Sequence, residues 1–393
     1  MMADYKSNIP RLPARTSELM ANAHPSRRAF LLATAAATAG ATLGAWVPRS
    51  RAAGTIGGEV EMMAWEGYTM QNEAADFIAK NNIDLRPAIM GNQDDVTSKL
   101  VGDNPVRLDM VEYSNGYGAQ YDELKIMQPL DLSKIPNYNA ESMFPPFYEA
   151  DMWRWDDETW SIPWVWGLDT LIYNPDTVPF EIKSYKDLLR PELTGRVAML
   201  DNPLTTFPQI AKVAGYGDKY PLLTADEMAD CFEKLKPYRD QTKVYATSNG
   251  DVVSLFTSGE IDACFCVWNG VTVSTTEQNV RTIAADPIEG GAVWADSWFI
   301  PHTAENLDTV HALINEALSP EVQAGMCTAT ASNTVSPLAL PLMSDDAKQY
   351  FDYANFKDEF AKLKIYGLPP LTSDEHATYA DWIQAWADFR AGF

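Results

Sequence analysis

The 393-residue chain is poor in the side chains on which most enzymes and metal proteins depend. Its four histidines are isolated, and its four cysteines, Cys231, Cys264, Cys266 and Cys327, show no paired Cys-x-x-Cys spacing. Neither a disulfide scaffold nor a structural metal site is expected. Cys264 and Cys266 alternate along an apparent strand and so face one side; buried thiols and a single disulfide both fit. Gly-x-Ser-x-Gly, His-Glu-x-x-His, Walker A and a strand-linked Gly-x-Gly-x-x-Gly are all missing. An exported enzyme, the one reading from another class, therefore has no chemistry to stand on, and no cofactor is expected. An adjacent carboxylate pair such as Asp156-Asp157 reads as a solvated turn. Basic residues are scarce too: 30 Lys and Arg against 54 Asp and Glu leave a net charge of −24. Such a surface repels nucleic acid and anionic membranes. After residue 53 no run is long and apolar enough to span a bilayer.

What is present begins at the N-terminus. Ser26-Arg27-Arg28-Ala29-Phe30-Leu31 precedes an uncharged run from Ala29 to Val47 and has the form of a twin-arginine export signal. Ala, Thr and Gly dominate that run, which is too weakly apolar for a membrane span, although an uncleaved anchor is the competing reading. Pro48 and Ser50-Arg51-Ala52 place cleavage near Ala52. Removing residues 1–52 takes away seven Lys/Arg and two acids, so the net charge falls from −24 to −29. The mature protein is expected in the periplasm, as a monomer.

Short apolar segments then alternate with longer amphipathic ones, the rhythm of an α/β protein. Strands are predicted at 59–65, 108–111, 171–174, 197–200 and 261–267, and helices at 70–81, 184–189 and 225–235. The strand at 108–111 ends in the polar turn Ser114-Asn115-Gly116, and ligand sites of open α/β sheets lie at such ends. No internal repeat or long linker follows residue 53.

The positive signal is aromatic. Twelve tryptophans are heavy usage, and Trp65, Tyr68, Tyr113, Tyr117, Trp164, Trp166, Trp268, Trp294 and Trp298 stand at or near predicted strand ends. Trp164 and Trp298 read best as core; Tyr117 and Trp166 fit core and cleft equally. A ring face attracts a cation within roughly 6 Å, each contact being worth about 0.5 to 2 kcal/mol. In Trp294-Ala295-Asp296 the ring and the carboxylate share one side of an extended segment.

At these residues the chain resembles the extracellular solute-binding proteins of polyamine importers, the spermidine/putrescine-binding family. The markers are Trp65-Glu66-Gly67-Tyr68, Ser161 to Gly167, Pro191 to Gly195, Ser258-Gly259-Glu260, Val267-Trp268-Asn269-Gly270 and Glu289 to Ser297. The resemblance implies two α/β lobes hinged about an interdomain ligand cleft, with a membrane permease and its ATPase as partners. The lobes are expected to comprise residues 53–166 with 295–341, and 167–294 with 342–393. It implies ligand contacts at Trp65, Tyr68, Trp268, Trp294 and Asp296, and a further one at Ser114; Tyr117 and Trp166 join them as candidates. The family's polyamine binders place two acids where this chain has Asn202 and Thr205. Losing them points to a shorter, single-headed onium or zwitterionic ligand such as choline, a betaine, carnitine or dimethylsulfoniopropionate, with Asn202 and Thr205 as neutral donors. The alternative is a putrescine- or spermidine-type ligand, with Asp201 and Glu66 supplying charge.

Overall fold

The structure is a computed structural model that describes residues 56–349, 351–361 and 363–392; the twin-arginine segment and its cleavage site lie outside them. Eight main strands share one sheet: β1 (Gly58–Ala64), β2 (Ile83–Ile89), β3 (Met110–Ser114), β4 (Ser161–Tyr173), β5 (Val197–Leu200), β6 (Thr242–Ala246), β7 (Ala263–Trp268) and β8 (Ala292–Pro301). Their order is β2-β1-β3-β8-β4-β7-β5-β6. β2, β1 and β3 run parallel, as do β7, β5 and β6. Between these trios lies the antiparallel ribbon β4–β8.

β4 reads Ser-Ile-Pro-Trp-Val-Trp-Gly-Leu-Asp-Thr-Leu-Ile-Tyr, and all of it but Leu168 is buried. Near-continuous apolar sequence is what a strand covered on both faces requires. The predicted strand at 171–174 is only its second half. β4 thereby passes through two apolar cores. The first gathers Val60 to Trp166 with Val293 to Phe360; the second gathers Leu171 to Ala292 with Tyr366 to Phe389. These are the two lobes that the family resemblance implies. The return crossing falls between 360 and 366 rather than at 341. Phe351, Phe356 and Phe360 close around Trp166 of the first core at 4.9, 6.5 and 5.4 Å between ring centroids, so the aromatics of 351–360 decide which lobe that stretch joins.

Local signals explain other boundaries. Thr224 and Glu227 form a capping box that opens the helix Ala225–Gln241. The predicted helix at 70–81 shrinks to Ala75–Lys80, with Met70 at positive φ. Asp156 and Asp157 are the positive-φ pair of a tight hairpin between Arg154–Trp155 and Glu158–Thr159, in keeping with a solvated turn. The cysteines are four buried free thiols. Cys264 and Cys266 do not share a side, because a register shift between Cys264 and Val267 sends them to different apolar clusters. No helix among the described residues is long and apolar enough to cross a membrane.

Candidate functional site

The ribbon positions the site. Across it Ala292 pairs with Asp169, Trp294 with Gly167 and Asp296 with Val165. Residues two apart on a strand share a face, so one face carries Asp169, Trp294 and Asp296. Trp268 stands opposite Asp169 across the β4–β7 pair and joins them. Asp296 also pairs with Ser114 of β3, whose hydroxyl donates to Asp296 Oδ1 at 2.5 Å. The two indoles lie against glycines. A Cβ on Gly167 would stand 2.3 Å from Trp294 Cζ2, and one on Gly270 would stand 2.2 Å from Trp268 Cζ2.

Two residues behind Ser114, fully buried Glu112 accepts from the Trp65 backbone N–H at 3.0 Å and from the Trp164 indole N–H at 2.8 Å. Tyr68 sets its ring edge-on to Trp164, 6.2 Å between centroids, and its hydroxyl is bonded by Thr330 and Ser332. From the second lobe, the Thr205 hydroxyl bonds the Asp169 carboxylate.

Three carboxylates are thus enclosed, and among the described residues no basic side chain acts on any of them. Burial pushes Asp169 up to about 7 against the Thr205 bond, and the Asp296 charge adds to the rise. Asp296 is pushed up to about 7 by burial, opposed by the Ser114 bond. Glu112 is raised well above the usual carboxylate range by burial and then by repulsion from Asp296, despite its two N–H donors. Burial and the Asp296 charge raise the Tyr68 hydroxyl as well. Desolvated acids of this kind are costly unless paired. Faces of indole beside them complete a surroundings suited to an organic cation. Among the described residues no group of three or more His, Cys, Asp or Glu could hold a metal ion.

The structure brings Trp65, Tyr68, Ser114, Thr205, Trp268, Trp294 and Asp296 to this region and leaves out three of the expected residues. Trp166 is a core residue: Gly167 faces the site, so its chain neighbour points the other way, and the Trp166 indole donates to the Thr334 carbonyl at 2.8 Å. Asn202 is exposed and caps the helix Pro203–Ala214, accepting from the Leu204 N–H at 3.1 Å. Tyr117 lies between Tyr121, 5.8 Å away, and Tyr379, where the lobes touch. Asp201 is taken by the last helix, bonding the Trp386 indole at 2.7 Å and pairing with Arg390, and Glu66 is exposed. Neither supplies the site with charge. Trp164 and Trp298 are fully buried, 5.0 Å apart. The sequence reading passed over Asp169 and Glu112. Two hollows, of about 410 Å³ beside Phe351 and Tyr353 and about 250 Å³ beside Tyr245 and Asp251, hold none of these side chains.

The spermidine/putrescine-binding periplasmic protein of Salmonella typhimurium is 24% identical over 288 residues, 72% of this chain and 79% of its own length. The putrescine-binding periplasmic protein SpuD of Pseudomonas aeruginosa is 23% identical over 351 residues, 84% and 90% of the two chains. The structure of the spermidine/putrescine substrate-binding protein PotD of Streptococcus pneumoniae superposes with a TM-score of 0.69 at 18% identity, covering 85% of this chain and 98% of that one. An agropinic acid complex from A. tumefaciens has the same fold, with a TM-score of 0.60 at 15% identity over 85% of this chain and 96% of that one, so the fold alone does not choose the ligand. The model of the family described as bacterial extracellular solute-binding protein matches residues 73–355, and the chain belongs to that family.

Proposed function

We propose that this protein is the substrate-binding component of an ABC importer for a small organic cation of the polyamine class, exported through its twin-arginine signal and handing its ligand to a membrane permease and ATPase. One observation carries the reading: Asp296, with Glu112 behind it, is buried beside the indole of Trp294, and no basic side chain among the described residues neutralises it. The relatives named for putrescine and spermidine favour amines over onium compounds. The case for a single-headed onium ligand rested on the neutral Asn202 and Thr205, and Thr205 proves to be bonded to a carboxylate.

Titration calorimetry with putrescine, spermidine, choline, glycine betaine and dimethylsulfoniopropionate tests the proposal. The amines are expected to bind most tightly, and Trp294→Ala is expected to weaken them about tenfold, one ring contact of ~1.4 kcal/mol. Tight onium binding without amine binding would restore the onium reading; failure of every cation to bind would refute both.

A further inference from the structure

We propose that Asp169, on the strand that crosses between the two lobes, is the counter-ion for the ammonium group at the far end of the ligand from Asp296. This rests on the small-cation reading above and adds a residue and a charge requirement to it. The family resemblance places acids at 202 and 205; in this chain the carboxylate comes instead from the crossing strand, with Thr205 turned into its hydrogen-bond donor.

Geometry separates the two acids. Asp169 pairs with Ala292, and Asp296 lies four residues farther along β8 on the same face, roughly 13 Å between backbone positions at ~3.4 Å per residue. Trp294 stands between them. One compact ammonium cannot serve both, whereas two ammonium groups on an apolar chain can, with the indole against the methylenes.

The surroundings of Asp169 hold acceptors, and no basic side chain among the described residues acts on its carboxylate. A carboxylate accepts about four hydrogen bonds, and Thr205 supplies one to Asp169. Gln209, fully buried, donates its amide to the Asp169 carbonyl at 3.3 Å while its Oε1 has no partner. Asn269, 5% exposed, bonds the Leu168 carbonyl through its backbone N–H at 2.9 Å, and its Oδ1 is likewise buried and unpartnered. An ammonium group brings three donors and no acceptor, which is what this set lacks. The titratable groups bearing on this corner are Asp296, Tyr185 and Cys266. The basic side chain beside Cys266, Lys212, donates to the Gly291 carbonyl, lies over the Tyr366 ring at 5.1 Å and is not among the groups that act on Asp169.

The test is calorimetry on wild type, Asp169→Asn and Asp169→Glu with putrescine, n-butylamine and choline, alongside thermal unfolding of each unliganded protein. Asp169→Asn is expected to weaken putrescine about thirtyfold or more, as loss of one partner of a buried charge pair does, and to change n-butylamine by less than about threefold. Asp169→Glu, which keeps the charge, is expected to recover part of the putrescine affinity. The unliganded Asp169→Asn protein is expected to unfold at or above the wild-type temperature, because a buried unpaired charge has been removed; this separates lost recognition from lost folding. Equal losses for putrescine and butylamine, or putrescine affinity within threefold of wild type, would overturn the assignment and leave the small-cation reading standing. Wild type that takes choline and no diamine would overturn this assignment and the polyamine-class reading together. Wild type that binds no cation removes both.

Discussion

Gly167→Ala is a one-carbon test of the site. Gly167 is in regular strand geometry, so alanine fits the backbone, and replacing glycine in a strand adds about 0.5 to 1 kcal/mol of stability. The added Cβ would meet Trp294 Cζ2, Cε2 and Nε1 at 2.3, 2.5 and 2.8 Å, all closer than a carbon can approach a rigid ring. The indole must therefore swing off the ribbon. If it walls the ligand, the loss is one ring–cation contact together with displaced packing, about 1 to 2 kcal/mol, or about 5- to 30-fold in Kd. Calorimetry with putrescine gives the affinity, tryptophan fluorescence reports the ring movement, and circular dichroism gives the unfolding temperature. Trp294→Ala with and without Gly167→Ala closes the cycle, and the glycine change should have little effect once the ring is gone. Affinity within twofold of wild type despite an altered fluorescence spectrum would refute a ligand-facing Trp294. A drop of more than about 6 °C in unfolding temperature would place the ring in the core instead.

Gly270→Ala should act in the same way through Trp268, weakening amine binding about tenfold with the fold retained, as read by the same titration. Diamine affinity should rise with pH from about 5.5 and level off above about 8, because Asp169 and Asp296, pushed up to about 7, must lose their protons to pair with a ligand that stays charged throughout; a flat profile refutes their role. The stability of the unliganded protein moves the other way. Folded values above the unfolded value of about 4 make these groups favour folding at acid pH, and that contribution is lost as pH rises through about 7. Asp201→Ala should leave amine affinity within twofold while lowering stability by about 1 to 3 kcal/mol in a denaturant titration, since it strands the Trp386 indole and frees Arg390; abolished binding would return Asp201 to the site. Trp166→Ala should cost about 3 to 5 kcal/mol by the same titration, as expected of a ring packed on every side.

The sequence carries the α/β rhythm, the 197–200 strand and the aromatic residues that the fold gathers around Asp296, because each rests on a local pattern: alternation, capping, or a ring near a glycine. It misplaces Trp166 because Ser161 to Tyr173 is a single strand with strict alternation. Once Trp294 is paired with Gly167, the parity excludes Trp166, but that pairing joins residues 127 apart. Asn202 reads as a donor facing a ligand, whereas Asn-Pro before an apolar helix is also a cap signature. Asp169 had a visible signal, a lone acid in a thirteen-residue run that is otherwise apolar or small, since charged side chains are almost never fully buried without a purpose. The lobe assignment of 351–360 depends on which aromatic cluster those rings join, and no short window of sequence holds that information.

The placement of the acids links recognition to closure of the lobes. Asp296 and Glu112 belong to the first lobe's strands, Asp169 lies on the strand that crosses, and Thr205 comes from the second lobe's helix. The lobes are in contact in this structure: Asn115 Nδ2 donates to the Tyr366 carbonyl at 2.5 Å, Gly116 accepts from the Leu368 N–H at 3.2 Å, and Tyr117 bonds Tyr379. Keeping an aspartate ionised at pH 8 when burial has moved it from 3.8 to about 7 costs roughly 4 kcal/mol. Two such acids oppose the closed packing unless protons or cations neutralise them. A ligand shifts the equilibrium only by its differential affinity for the two arrangements. A monocation relieves one of the two charges and leaves the other opposing closure; a dication of matching length relieves both. On the proposed role of Asp169, selection by length and closure on the ligand follow from one arrangement of charge, with Asp296 on the first lobe's strand and Asp169 on the strand that crosses between the lobes.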